Sequence, residues 1–233
     1  MADRDRAAAV EPDVAGEVGV AGEVEEPAAD EGLDRPVGTG WFGVLLILAG
    51  GLGLLAAGVL TVDRFRLLAD PAASLACDLS PFVACGPVMT SPAGALFGFP
   101  NPLLGLAAFP VVVVTGALLL GRTPLPRWYW RGLQVGVLLA AVFITWLQTQ
   151  SLYVIGALCL WCILVWAVTI PVVVGVTLHD AAAGHLGHRL TRAGRRLQPY
   201  AVTVVAVWYL VVLGAVALRF YRDVALYWFG IAL

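Results

Sequence analysis

From Gly132 to Leu178 the chain runs 47 residues without an Asp, Glu, Lys or Arg. As one helix that stretch would be about 70 Å long, at 1.5 Å per residue, against roughly 30 Å for the hydrocarbon core of a bilayer. It must therefore cross twice. The polar run Gln148-Thr149-Gln150-Ser151 lies near its middle and predicts a turn between two antiparallel helices, about Leu133–Leu147 and Val154–Leu178. Three further apolar stretches are long enough to cross: Trp41–Leu60, Pro102–Leu120 (ended by Gly121-Arg122-Thr123-Pro124) and Tyr200–Leu218. With 60% hydrophobic residues, 13% charged ones and a mean hydropathy of +0.87, the chain is too apolar for a soluble domain of its length. Lipid offers no partner to a backbone amide, so each crossing has to be helical. The fold class is all-α: a polytopic membrane protein with five spans.

Charge divides the chain into three parts. Eleven of the 16 acidic residues fall between Asp3 and Asp34. Residues 1–40 also lack aromatic side chains, and such a segment cannot bury enough apolar surface to offset its chain entropy. It is expected to be a disordered acidic tail. It has no basic stretch running into an apolar one, so no cleaved signal peptide is expected. Residues 41–220 form the membrane domain and 221–233 a short tail, with no soluble domain expected after it. All 14 basic residues are Arg, which with the excess of Ala, Gly, Val and Leu points to a high-GC bacterial genome. Nucleic acid is excluded as a partner, because the Arg residues flank apolar spans and do not line a soluble face.

The Arg positions also orient the chain. Arg122, Arg127 and Arg131 follow the second span; Arg189, Arg192, Arg195 and Arg196, with His179, His185 and His188, follow the fourth. Basic loops stay in the cytoplasm. The N-terminus is then cytoplasmic, and the first and third loops face outward from the bacterial cell membrane.

That topology, reached without the cysteines, puts the only four of them on one side. Cys77 and Cys85 lie in the first outer loop, and Cys159 and Cys162 lie at the outer end of the fourth span. Outside the cytoplasm is the oxidising side. In Cys159-Leu160-Trp161-Cys162 the two thiols are about one helical turn apart, so a disulfide forms and breaks with little backbone movement. A helix N-terminus, with Gly156 starting the turn, lowers the pKa of the first thiol. Cys162, a turn deeper, is placed to meet a hydrophobic redox partner. The segment from Asp78 to Ala84 reads as a loop, so the Cys77–Cys85 pair is expected to swing between a soluble thiol protein and the membrane pair.

A plainer reading stands beside this relay. Four extracytoplasmic cysteines also make two structural disulfides, and closing the nine-residue ring from Cys77 to Cys85 stabilises by roughly 2.6 kcal/mol in the chain-entropy model. The protein would then be a non-catalytic membrane subunit. No metal site is expected, since the spacing matches no common zinc pattern and all three His lie on the inner side. Trp128, Trp130, Trp161, Trp166 and Trp208 suit interfacial or packing roles. Gly50, Gly51, Gly53 and Gly58 suit close helix packing. Pro171 predicts a kink.

The run CDLSPFVACGPVMTSPAGALFGFPNPLLGL from Cys77 to Leu106, followed by LCLWC at Leu158–Cys162, resembles the vitamin K epoxide reductase family. Its bacterial members, which drive disulfide formation, are the most similar. The resemblance covers about residues 41–220. It implies a four-helix bundle around a quinone site, with Cys159 and Cys162 as the pair beside the quinone and Cys162 as the electron donor. Cys77 and Cys85 would be the shuttle pair that takes electrons from a thioredoxin-fold (DsbA-like) partner. Ser91 and Asn101 match family positions at the quinone; the plain reading of Asn101 is a turn residue between Pro100 and Pro102. Many bacterial members carry a fused thioredoxin-like domain, so here the partner is expected to be a separate protein. The acceptor would be menaquinone or ubiquinone. Trp166 stands where animal members have a Tyr, which removes a hydroxyl donor from the quinone pocket and counts against vitamin K epoxide as a substrate.

Overall fold

The computed structural model describes residues 33–34, 40–78, 80 and 82–229. The acidic tail over 1–40 lies outside these residues apart from 33–34 and 40, and the last four residues of the chain lie outside them too. Among the described residues, five helices are long and apolar enough to cross a membrane. They are α1 (Gly40–Ala69), α3 (Pro102–Leu120), α4 (Arg127–Thr149), α5 (Leu160–Ala183) and α7 (Ala201–Phe229). Two shorter helices complete the set: α2 (Cys85–Thr90) on the cysteine side and α6 (His188–Leu197) at the opposite end. A two-residue antiparallel pair joins β1 (Leu33–Asp34) to β2 (Leu125–Pro126). The protein is a multi-pass, all-helical membrane protein.

Small residues decide how the bundle closes. A Cβ added at Gly53 would lie 2.3 Å from the Phe109 ring, and one at Gly50 would lie 2.8 Å from Val113. Gly43 and Gly116 face each other's carbonyl oxygens, at 2.9 and 2.6 Å from such an added carbon. These glycines let α1 and α3 approach backbone to backbone, which in lipid is a main source of helix association. Gly51 and Gly58 meet nothing within 4 Å, so the packing role holds for two of the four glycines read from the first span. α5 lies against α1 and α4, where Gln134 Nε2 donates to Thr177 Oγ1 at 3.0 Å. α7 is held to the outside of α5 by Tyr209, whose hydroxyl donates to the Ala167 carbonyl. α1, α3, α4 and α5 make a four-helix bundle with α7 at its flank.

The second span has the predicted bounds; the others run on. α1 continues nine residues past Leu60, supported by the Thr61 hydroxyl bonding back to the Ala57 carbonyl at 2.7 Å and by the Asp63–Arg66 ion pair at 3.5 Å. The polar run at Gln148–Ser151 is not a loop. The helix passes into a wider π turn, Gln150–Ile155, and stops at Gly156, whose φ of +71° suits a residue without a Cβ. Ser151 accounts for this: its hydroxyl donates to the Ala157 carbonyl at 2.8 Å and its own carbonyl accepts the Gly156 N–H at 3.0 Å. α5 therefore starts at Leu160, six residues later than expected, and Gly156 ends the preceding turn instead of opening the helix. α5 is one continuous helix through Pro171. The basic stretch after it is the helix α6, not a plain loop. Gly194 sits against Ala181 and Ala182, where an added Cβ would come within 2.6 Å. The last helix reaches Phe229, eleven residues beyond the expected end of its span.

Candidate active site

The site is assembled by backbone pairing between two segments far apart in sequence. Residues 157–159 are extended, and Leu158 forms a parallel bridge with Val83. The Leu158 N–H donates to the Phe82 carbonyl at 2.8 Å, and the Ala84 N–H donates to the Leu158 carbonyl at 3.0 Å. Each segment ends at a cysteine that opens a helix. Cys85 is the first residue of α2, and Cys159 caps α5 by accepting the Cys162 N–H on its sulfur at 3.4 Å. The stitched backbones bring these two ends together. Cys159 Sγ lies 3.2 Å from Cys85 Sγ, within the range at which reacting atoms are poised for attack.

Cys85 is already bonded to Cys77, whereas Cys159 and Cys162 are thiols. Cys85 and Cys159 are 0% exposed and Cys77 is 3% exposed. Leu60, Leu67, Leu75 and Met89 pack around them. The loop pair that was expected to swing is closed in this structure: Cys77 is buried, and its loop is tied by Asp78. The Asp78 carboxylate accepts the N–H of Cys85 at 2.8 Å, of Gly86 at 3.3 Å and of Leu75 at 3.3 Å. It thus bonds the first two amides of α2, which have no partner within the helix.

Cys159 stands just ahead of α5, and its thiol is held below the ordinary thiol range. The hydrogen bond from the Cys162 side chain is the main cause; burial works against it, the Cys162 and Trp161 amides add to it, and the charge of Asp63 opposes it. The lowered pKa favours the thiolate, the nucleophile in disulfide exchange.

Cys162 also lines a cavity of about 1250 Å³ walled by α1, α2 and the segment after it, α3, α4 and α5. Ser91, Asn101 and Trp166 line it as well, so the four residues singled out for the quinone side share one cavity. The walls are apolar and aromatic, with Phe97, Trp128, Phe143 and Trp146 among them. The polar pair is largely engaged elsewhere. Asn101 Oδ1 accepts the Leu96 N–H at 3.1 Å, and its Nδ2 donates to the Ala93 carbonyl at 2.6 Å. The Ser91 hydroxyl donates to the Val88 carbonyl at 2.7 Å. Asn101 therefore has the turn role and, at the same time, a place in the cavity wall with one amide N–H bond to spare.

Sequence reasoning singled out the four sulfurs but passed over Asp78, Asp63 and Arg64. Asp78 was visible as the carboxylate directly after Cys77. Arg64 was visible as a charge four residues beyond the apolar run at Leu60, hence on the same helix face. Among the described residues no group of three or more His, Cys, Asp or Glu comes together as a metal site.

The profile of the Vitamin K epoxide reductase family matches residues 44–177, more than half of the chain. No curated protein matches it.

Proposed function

Since the chain belongs to the vitamin K epoxide reductase family, a family of membrane oxidoreductases, we propose that it oxidises an extracytoplasmic dithiol protein and passes the electrons to a quinone. The single observation that carries this is the 3.2 Å approach of Cys159 Sγ to Cys85 Sγ, with Cys162 opening onto the cavity. A thioredoxin-fold protein supplies the electrons. One of its thiolates attacks Cys77, the Cys85 thiolate leaves, and its second thiol displaces Cys77, so the partner departs as a disulfide. Cys85 then attacks Cys159 of a Cys159–Cys162 disulfide and expels Cys162; Cys77 attacks Cys85 and expels Cys159. Two electrons and two thiol protons now rest on Cys159 and Cys162. That redox state, with Cys77–Cys85 bonded and the other two sulfurs free, is the one described above. Re-forming the Cys159–Cys162 bond releases both electrons and both protons.

The residues fit a quinone as the acceptor. Pockets for drug-sized ligands run to roughly 1,000 Å³, so about 1250 Å³ admits a ring and part of an apolar chain. A bound quinone supplies two-electron acceptance; the chain supplies Cys162 at the wall, Trp166 as a flat partner, the spare Asn101 N–H as a donor and a lining that excludes water. Menaquinone or ubiquinone is the proposed acceptor. The Arg-rich ends of the bundle support a cytoplasmic N-terminus, with the sulfurs on the outer face of a bacterial cell membrane.

The burial of Cys77 favours the rival reading, in which the bond to Cys85 is a structural staple. Titrating the four thiols by differential alkylation, in the full-length protein in lipid, separates the two. The expected result is that added quinone oxidises Cys159 and Cys162, and that a reduced thioredoxin-fold protein opens Cys77–Cys85. If the Cys77–Cys85 bond stays closed under both treatments while Cys159 and Cys162 ignore quinone, the relay is wrong.

A further inference from the structure

Among the described residues, the cavity has one charged side chain in its wall, Arg64. α1 carries two arginines in this turn, and they behave oppositely. Arg66 is 68% exposed and pairs with Asp63 at 3.5 Å. Arg64 turns inward: its Nε is buried and has no hydrogen-bond partner. Leaving a guanidinium N–H buried and unpaired is costly. Such a group is expected where a ligand completes it. Its position fits that use. Arg64 lies one turn beyond Leu60 on α1 and shares that face with Leu67; both leucines pack around Cys85, Cys159 and Met89. It lines the cavity together with Met89, Ser91 and Cys162, at the end where the sulfurs are.

We propose that Arg64 is an acceptor-binding residue whose guanidinium bonds the oxygen of a quinone held beside Cys162 and holds the negative charge that develops there. This rests on the reading of the cavity as the quinone site and adds a charge to it. The Ser91 hydroxyl and one Asn101 N–H are spent on backbone carbonyls, which leaves Arg64 as the strongest donor in the wall. A neutral cavity binds a quinone by buried area and neutral hydrogen bonds, which do little to favour its reduced form. A guanidinium facing its oxygen favours the electron-rich form over the oxidised one, and so pulls the transfer forward. The same chemistry makes a test independent of turnover.

Two naphthoquinones of nearly equal size serve as probes: 2-hydroxy-1,4-naphthoquinone, an anion at pH 7, and the neutral 2-methyl compound. Their binding to the full-length protein, with both cysteine pairs oxidised so that no thiol reacts, is read by tryptophan quenching, since Trp128, Trp146 and Trp166 line the cavity. Wild type should prefer the anion. Arg64→Gln should weaken the anion about tenfold, the scale of one hydrogen bond to a charged group, and change the neutral probe little. Arg64→Lys should keep most of the preference. A variant-free check uses wild type alone: at a pH low enough to neutralise the hydroxy compound, its advantage should vanish. An anion-to-neutral ratio that is unchanged in Arg64→Gln, or that survives neutralisation of the probe, would overturn the proposal and leave Arg64 as an interfacial anchor. If wild type binds neither probe, the quinone reading of the cavity fails first.

Discussion

The two ends of the proposed electron path are built in opposite ways. At one end three buried sulfurs are packed together, and α2, the loop of Cys77 and the start of α5 are tied by backbone hydrogen bonds and one carboxylate. At the other end a single sulfur faces a wide apolar cavity with few polar groups to grip a ligand. Thiol–disulfide exchange needs atoms in contact at a fixed geometry, so precision is concentrated where both reactants belong to the chain. A diffusing lipid-soluble acceptor needs space and an apolar wall. The contrast accounts for why the cysteine end has many specific bonds and the cavity few.

The contrast can be broken most severely at a sulfur. Cys159→Ser should abolish transfer from the loop pair while leaving the five-helix bundle intact, because a serine hydroxyl takes no part in exchange; stopped-flow quinone reduction checks it. Activity persisting in that variant would detach Cys159 from the path. Next in size is Asp78→Ala. Without the carboxylate that gathers three amides, Cys85 loses its fixed place beside Cys159. Internal transfer should slow roughly tenfold or more, the scale of losing about 1.5 kcal/mol for one hydrogen bond to a charged group, with the quinone KM unchanged. Slowing in KM alone would mean that the latch serves the cavity. The smallest effect is expected at Asn101→Ala, a several-fold rise in quinone KM for the loss of about 0.5–1.5 kcal/mol, with partner kinetics untouched. Because Asn101 also ties the Pro92–Ala95 turn, a thermal melt should accompany the kinetics: lower stability with unchanged KM would assign the residue to the turn alone.

Orientation tests the same contrast from outside. In intact cells an impermeant thiol reagent should label a Ser80→Cys variant and spare Thr191→Cys, which would put the sulfur end outward. The reverse pattern would place the cysteine pairs in the cytoplasm.

Much of this molecule was legible in its sequence. Uncharged runs of span length declare membrane helices, and the α3 bounds follow from Pro102 at the start and Gly121 at the end. The cysteine spacings declared two pairs. What did not show was tertiary in origin. The π turn after α4 depends on Ser151 bonding backbone six residues on, and a polar run alone reads as a loop. The closed state of the Cys77 loop depends on Asp78, seven residues from the Cys85 amide it accepts, and on the Val83–Leu158 bridge, a contact between segments some 75 residues apart that no local pattern encodes. Asn101 shows the opposite hazard. A residue picked for a ligand role turned out to have most of its hydrogen bonds within its own turn.

The central claim is that electrons pass between Cys85 and Cys159, and trapping tests it directly. Replacing Cys162 by Ser removes the thiol that resolves the mixed disulfide from the membrane side, and replacing Cys77 by Ser removes the one that resolves it from the loop. In the double variant, mass spectrometry of peptides alkylated without reduction should find a Cys85–Cys159 bond as the dominant species, formed across the present 3.2 Å gap. Two unlinked thiols in the same variant, under conditions that oxidise the wild type, would contradict the relay.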